Sequence, residues 1–204
     1  MKKAVSIILA ALTVICCVVP AWADDVRTEA IPIEPEKKIT FENNCDIELY
    51  YSEILSDQSV AEGWWYYYTD TLDNPAVPLE WKPHNGMHST VIALFNVTNL
   101  RNEPVVLKDI LNGHIEFGDL TFEGTVFQRN PEQVDTDGFE IRSLKGVSVN
   151  PGETVCIDVL FDVSKEFHNT ACAGFTDVPA TAFFSLDSGE ILSFSLNEFM
   201  EISE

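Results

Sequence analysis

The chain has 204 residues, 46% of them hydrophobic, and carries 12 Lys and Arg against 33 Asp and Glu, a formal net charge of −21. An apolar fraction of this size supports a substantial core and excludes a disordered chain. A field this acidic repels nucleic acid and anionic lipid, and no basic stripe with interleaved aromatics exists to overcome it.

The first 23 residues read as an export signal. Lys2 and Lys3 supply the positive end, Ala4 to Val19 the apolar stretch, and Ala21-Trp22-Ala23 a small-x-small cleavage site. An apolar run of about 16 residues is short for a membrane span, so the expected product is secreted, starts at Asp24 and has no membrane association. Cys16 and Cys17 lack the small preceding residues of a lipidation site and belong to the apolar run. Cleavage removes two of the 12 basic residues and no acidic one, so the mature charge is 10 minus 33, or −23. Residues 24–38, with Pro32 and Pro35, read as a flexible leader, and 39–204 as one domain.

From residue 39 onward short alternating runs separated by turn residues predict strands. Ile47, Leu49 and Tyr51 alternate with Asp46, Glu48 and Tyr50 in an opening strand spanning about Ile39 to Leu55. An insertion at about 57–88 follows and contains the stretch EGWWYYYTD. Ser89 to Thr98 is almost continuously apolar, which predicts a central strand covered on both faces. Val105 to Ile110 is expected to continue as a strand. His114 to Phe127 holds one or two more, punctuated by Gly118 and Gly124, and Gln128 to Lys145 is a polar excursion. In Thr154 to Val163, Val155, Ile157, Val159, Phe161 and Val163 fall on one face, and Cys156, Asp158 and Asp162 on a face expected to be wet. A turn near Ser164 to His168 and a hairpin, Thr181 to Leu186 with Ile191 to Leu196 around Gly189, complete the pattern. Seven to nine short antiparallel strands with little helix predict an all-β, two-sheet sandwich.

Two segments carry a resemblance. In Val91 to Leu107 an apolar strand ends in Asn99 and a polar turn; in Val149 to Ser164, Pro151-Gly152-Glu153 launches a strand ending in Phe161-Asp162-Val163. The chain thereby resembles a family of immunoglobulin-like domains of uncharacterised exported proteins and lipoproteins of Gram-positive bacteria. The resemblance spans roughly residues 40 to 197 and implies an immunoglobulin-like sandwich and an extracellular address without an activity. The chain departs from that family in lacking a lipidated cysteine and in the aromatic insertion.

Catalytic motifs are missing. Gly146-Val147-Ser148-Val149-Asn150 lacks the last glycine of a nucleophile elbow, and there is no phosphate loop, dinucleotide glycine pattern or His-Glu-x-x-His. His84, Met87 and His88 place two imidazoles and a thioether within five residues, a donor set suited to copper. Asp135 and Asp137, near Glu132 and Glu140, form an incomplete calcium loop. No cofactor is expected. Of the three cysteines that survive cleavage, Cys156 and Cys172 are separated by the shortest loop and are the favoured disulfide, although other pairings and three thiols remain open.

The run Trp64, Trp65, Tyr66, Tyr67 and Tyr68 has, as a strand, two faces that cannot both enter a core, and Trp81 is positioned in sequence to fold back over one of them. Such rings suit packing, capture of a protein or stacking on a sugar. The expectation is a monomeric, secreted, non-enzymatic binding or interaction domain with a protein or cell-surface glycan partner. A carbohydrate-binding module and a copper carrier are the alternatives.

Overall fold

The computed structural model describes residues 29–55, 88–134, 140–172 and 178–196. Among the described residues there are ten strands: β1 (Ile31–Pro32), β2 (Ile39–Phe41), β3 (Cys45–Leu55), β4 (His88–Asn99), β5 (Leu111–Phe117), β6 (Leu120–Val134), β7 (Glu140–Ser143), β8 (Thr154–Ser164), β9 (Ala180–Leu186) and β10 (Ile191–Ser195). A 3-10 turn at Leu107–Ile110 and a helix α1 at Lys165–Cys172 accompany them.

The strands run in the order β1-β10-β9-β5-β6-β8-β4-β3-β2, with β7 also paired to β6. β6 belongs to two sheets. Its residues 120–123 pair with β5 in the first sheet, and its residues 124–128 pair with β8 in the second. The strand changes sheet at Gly124, where a Cβ would stand 2.7 Å from the side chains of both Phe161 and Val159 and 2.9 Å from the Gly113 carbonyl. Only a residue without a side chain lets the backbone approach the core this closely.

Alternation fills the space between the sheets. The inward set of β8, which is Val155, Ile157, Val159, Phe161 and Val163, meets Phe184 and Phe194 from the opposite sheet in one buried cluster. Phe184 stands edge-on to Phe95 at 4.7 Å and to Phe161 at 6.1 Å, the preferred arrangement of aromatic quadrupoles. At one end Phe167 of α1 packs against Phe117 and Phe122.

The all-β sandwich expectation holds, and so does the covered central strand, since Thr90 through Phe95 are all buried. Several local expectations change. The opening strand is a hairpin of β2 and β3 turned at Asn43, whose φ is 60°. Val105 makes one isolated bridge with Val149, and the chain then coils, Asp109 N–H donating to the Val106 carbonyl, in place of the expected strand. In its described part the polar excursion is the second half of β6 with β7. The leader is tied down in its described part: β1 pairs with β10 in parallel, against the otherwise antiparallel pattern, and Ile33 N–H donates to the Ser193 carbonyl at 2.8 Å.

The expected Cys156–Cys172 disulfide is not formed. Cys156 keeps its thiol, and its Sγ donates to Asn96 Oδ1 at 3.4 Å. From Cys156 the strand runs away for about 26 Å to Ser164, and a helix of this length returns at most about 12 Å, far short of the Cα approach of about 7 Å that a disulfide requires.

Candidate binding surface

The residues of the family resemblance are scaffold. Asn99 is fully buried; its Nδ2 donates to the carbonyls of Glu103 and Val149, both at 2.9 Å, and its Oδ1 accepts from the Arg101 N–H. Gly152 N–H donates to the Asn99 carbonyl at 2.7 Å, and Asn99 N–H donates to that of Glu153 at 2.9 Å. The end of β4 and the Pro-Gly-Glu turn are therefore one hydrogen-bonded unit, and Gly152 takes the left-handed φ of 82° that the turn requires.

The outward face of the second sheet is buried over much of its area, and of the three residues expected on the wet side of β8, Asp158 is fully buried while Cys156 and Asp162 are half-buried. Ile92, Leu94, Phe127, Asp158 and Leu160 are each 5% exposed or less. Asp158 sits at the centre of this face and accepts from Arg129 Nε at 3.1 Å and Arg142 Nε at 2.8 Å. Burial works against the Arg129 charge, but the Asp158 carboxylate more than offsets it and holds the guanidinium above its ordinary range. Nearby, burial pushes the Tyr50 phenol up, with the Arg129 charge opposing the shift. On the inner side burial pushes the Cys45 thiol up to about 12. Both groups are held protonated, which suits structure better than nucleophilic attack.

The outward face of the first sheet is open. Its register places Glu123, His114, Phe183 and Ser193 in one row across β6, β5, β9 and β10. Thr121, Glu116, Thr181 and Ser195 form the next row, and Asn112, Ser185 and Ile191 a third. All eleven are exposed or half-buried, and none is Lys or Arg. At the centre the His114 and Phe183 rings stack at 5.3 Å and 21° to one another, and His114 Nε2 lies 3.7 Å from Glu116 Oε1. On its other side Phe183 is paired in the register with the small Ser193 of β10.

None of the sequence-predicted site residues that are described lies on this face. Trp64, Trp65, Tyr66, Tyr67, Tyr68, Trp81, His84 and Met87 fall outside the described residues. His88 opens β4 opposite Ser164. Cys156 lies on β8 in the opposite sheet, and Cys172 ends α1. Asp135 and Asp137 also fall outside the described residues, among which no group of three or more His, Cys, Asp and Glu side chains could hold a metal ion. His114 and Phe183 carried no motif. Their only signal was the alternation of β5 and β9, which puts them opposite Ile115 and Phe184.

Comparison with known proteins adds the fold. No protein-family model matches the chain, and no curated protein matches it. A solved structure of an uncharacterised β-sandwich protein from Clostridium difficile 630 matches 83% of this chain and 95% of its own, with 16% identity and a TM-score of 0.55. The fold is a β-sandwich. A provisionally assigned lipoprotein of Bacillus subtilis is similar at 11% identity and TM-score 0.38, over 80% of this chain and 39% of its own. The archaellum periplasmic stator complex of Sulfolobus acidocaldarius is similar at 10% and 0.29, over 80% of this chain and 95% of that one. At TM-scores below 0.5 these two likenesses carry no argument. Among the described residues no helix is long and apolar enough to cross a membrane.

Proposed function

We propose that this chain is an exported, non-enzymatic binding domain of the bacterial cell exterior, of the immunoglobulin-like type, and that it meets its partner across the open face of the first sheet. The export signal at residues 1–23 and the family resemblance support the address and the type. One observation carries the choice of surface: the two outward faces differ, the second buried around Asp158 and the first open in three polar rows with a stacked aromatic pair at their centre. A half-exposed Phe on a sheet face, ringed by hydroxyls and carboxylates, has the anatomy of an interaction patch with a polar rim.

Two measurements test this reading. N-terminal sequencing of the protein recovered from culture medium should give Asp24 as the first residue, and an uncleaved cytoplasmic product would count against export. Sedimentation with isolated cell envelopes should be strong for the wild-type chain and lost in Phe183→Asp; envelope binding that survives this change would remove the open face from the proposal.

A further inference from the structure

We propose that the occupant of the open face is a basic, extended peptide segment of another protein, with arginine at alternate positions. The inference rests on the reading of that face as the binding surface and adds the chemistry of the partner.

Three features of the face select this occupant. Its charged groups are Glu116 and Glu123, with His114 between them in the register and no cation among the eleven outward positions. A chain of formal charge −21 adds a long-range field that draws cations towards those carboxylates. Among the described residues His114 is the ring that stacks on Phe183, and the register sets the small Ser193 on the other side, where a planar guanidinium can pack against the phenyl ring. Alternate side chains of an extended peptide project to the same side about 7 Å apart, which is also about the spacing from one row of this face to the next. One arginine can therefore pack on Phe183 while its neighbour two residues along reaches Glu116 in the next row through a charge-assisted hydrogen bond, with Glu123 adding its charge to the row of Phe183.

The same features disfavour the other occupants. A neutral glycan would gain nothing from the two carboxylates or from the field of the acidic chain. A second copy would bring two acidic faces together, a like-charge juxtaposition.

The test uses the mature chain, residues 24–204, and fluorescence anisotropy of a labelled Arg-Ser-Arg-Ser-Arg-Ser-Arg peptide beside its counterpart with glutamine for arginine. The arginine peptide should bind and the glutamine peptide should not. The double change Glu116→Gln with Glu123→Gln, and separately Phe183→Ala, should each weaken binding about tenfold or more. A control pair of exposed acids elsewhere, Glu42→Gln with Glu103→Gln, should change it less than about twofold. If Phe183→Ala melts early, Phe183→Leu keeps the bulk and removes the ring, and is expected to lose binding as well.

Equal weakening by both acid pairs would reduce the interaction to net charge and overturn the proposal, as would binding indifferent to Phe183. A dimer in light scattering that dissolves in Phe183→Asp, or competition by a neutral oligosaccharide, would also overturn it in favour of a second copy or a glycan. If envelope binding depends on Phe183 but the arginine peptide does not bind, this inference falls and the reading of the face stands. If envelope binding ignores Phe183, both fall.

Discussion

Asn99 Nδ2 donates to the Val149 carbonyl at 2.9 Å, so the residue that ends β4 also holds the entry to β8, fifty positions later in the chain. The amide is fully buried and uses both of its ends. Asn99→Ala removes the donor from two carbonyls and the acceptor from the Arg101 N–H, and should destabilise the fold by about 3 kcal/mol. Asn99→Asp has the same shape but cannot donate, and should lose most of the same amount at neutral pH. Urea denaturation compares the two, and an aspartate variant as stable as the wild type would show that the donor bonds contribute little.

The pair of arginines on Asp158 predicts an asymmetry. Asp158→Ala takes away the carboxylate to which both guanidinium groups donate, and should cost about 3 to 5 kcal/mol. Replacing all three groups, Asp158→Leu with Arg129→Met and Arg142→Met, should recover most of that loss, because no buried charge is then left without its counterion. Thermal melting of the single and triple variants checks this, and a triple variant no better than Asp158→Ala would argue that the triad itself holds β6, β7 and β8 together.

Alkali should unfold the protein through Cys45. Its pKa stands near 9.0 unfolded and is pushed up to about 12 by burial, so the native state holds the proton more tightly. The resulting stability is fully present below about pH 9 and is lost as pH rises through about 12, at a slope of about 1.4 kcal/mol per unit for one group. Cys45→Ala should flatten that part of the profile. Denaturation midpoints from pH 8 to 11 would show it, and an unchanged slope in the variant would assign the alkaline loss to other groups, of which Tyr50 is the foremost.

The scaffold was largely legible in the sequence and the candidate surface was not. The continuous apolar run of β4 predicted a strand covered on both faces, because a run without alternation leaves no side for water. The polar side of β8 looked wet for the opposite reason: Asp158 alternates with apolar residues, but the arginines that let it be buried come from β6 and β7, and no local pattern announces them. Phe183 and Phe184 are adjacent, so one had to face out. The alternation in TAFFSL decides which, since Ala182 and Leu186 join Phe184 in the core and leave Phe183 with Thr181 and Ser185, but it does not announce the His114 ring that stacks on Phe183 from β5. The β1 strand, two residues long, is too short to show a period at all.

The pairing of Ile31 with Leu192 has a temporal consequence. The first described strand lies against the last described one, about 160 residues later, so this edge of the first sheet cannot close until β10 has been made. Contacts of such sequence separation form slowly, because the loop must close before the pairing rewards it. The strands of the second sheet can pair before β10 exists, whereas β1 waits for it, so a chain halted before Ile191 would leave β1 without its partner strand.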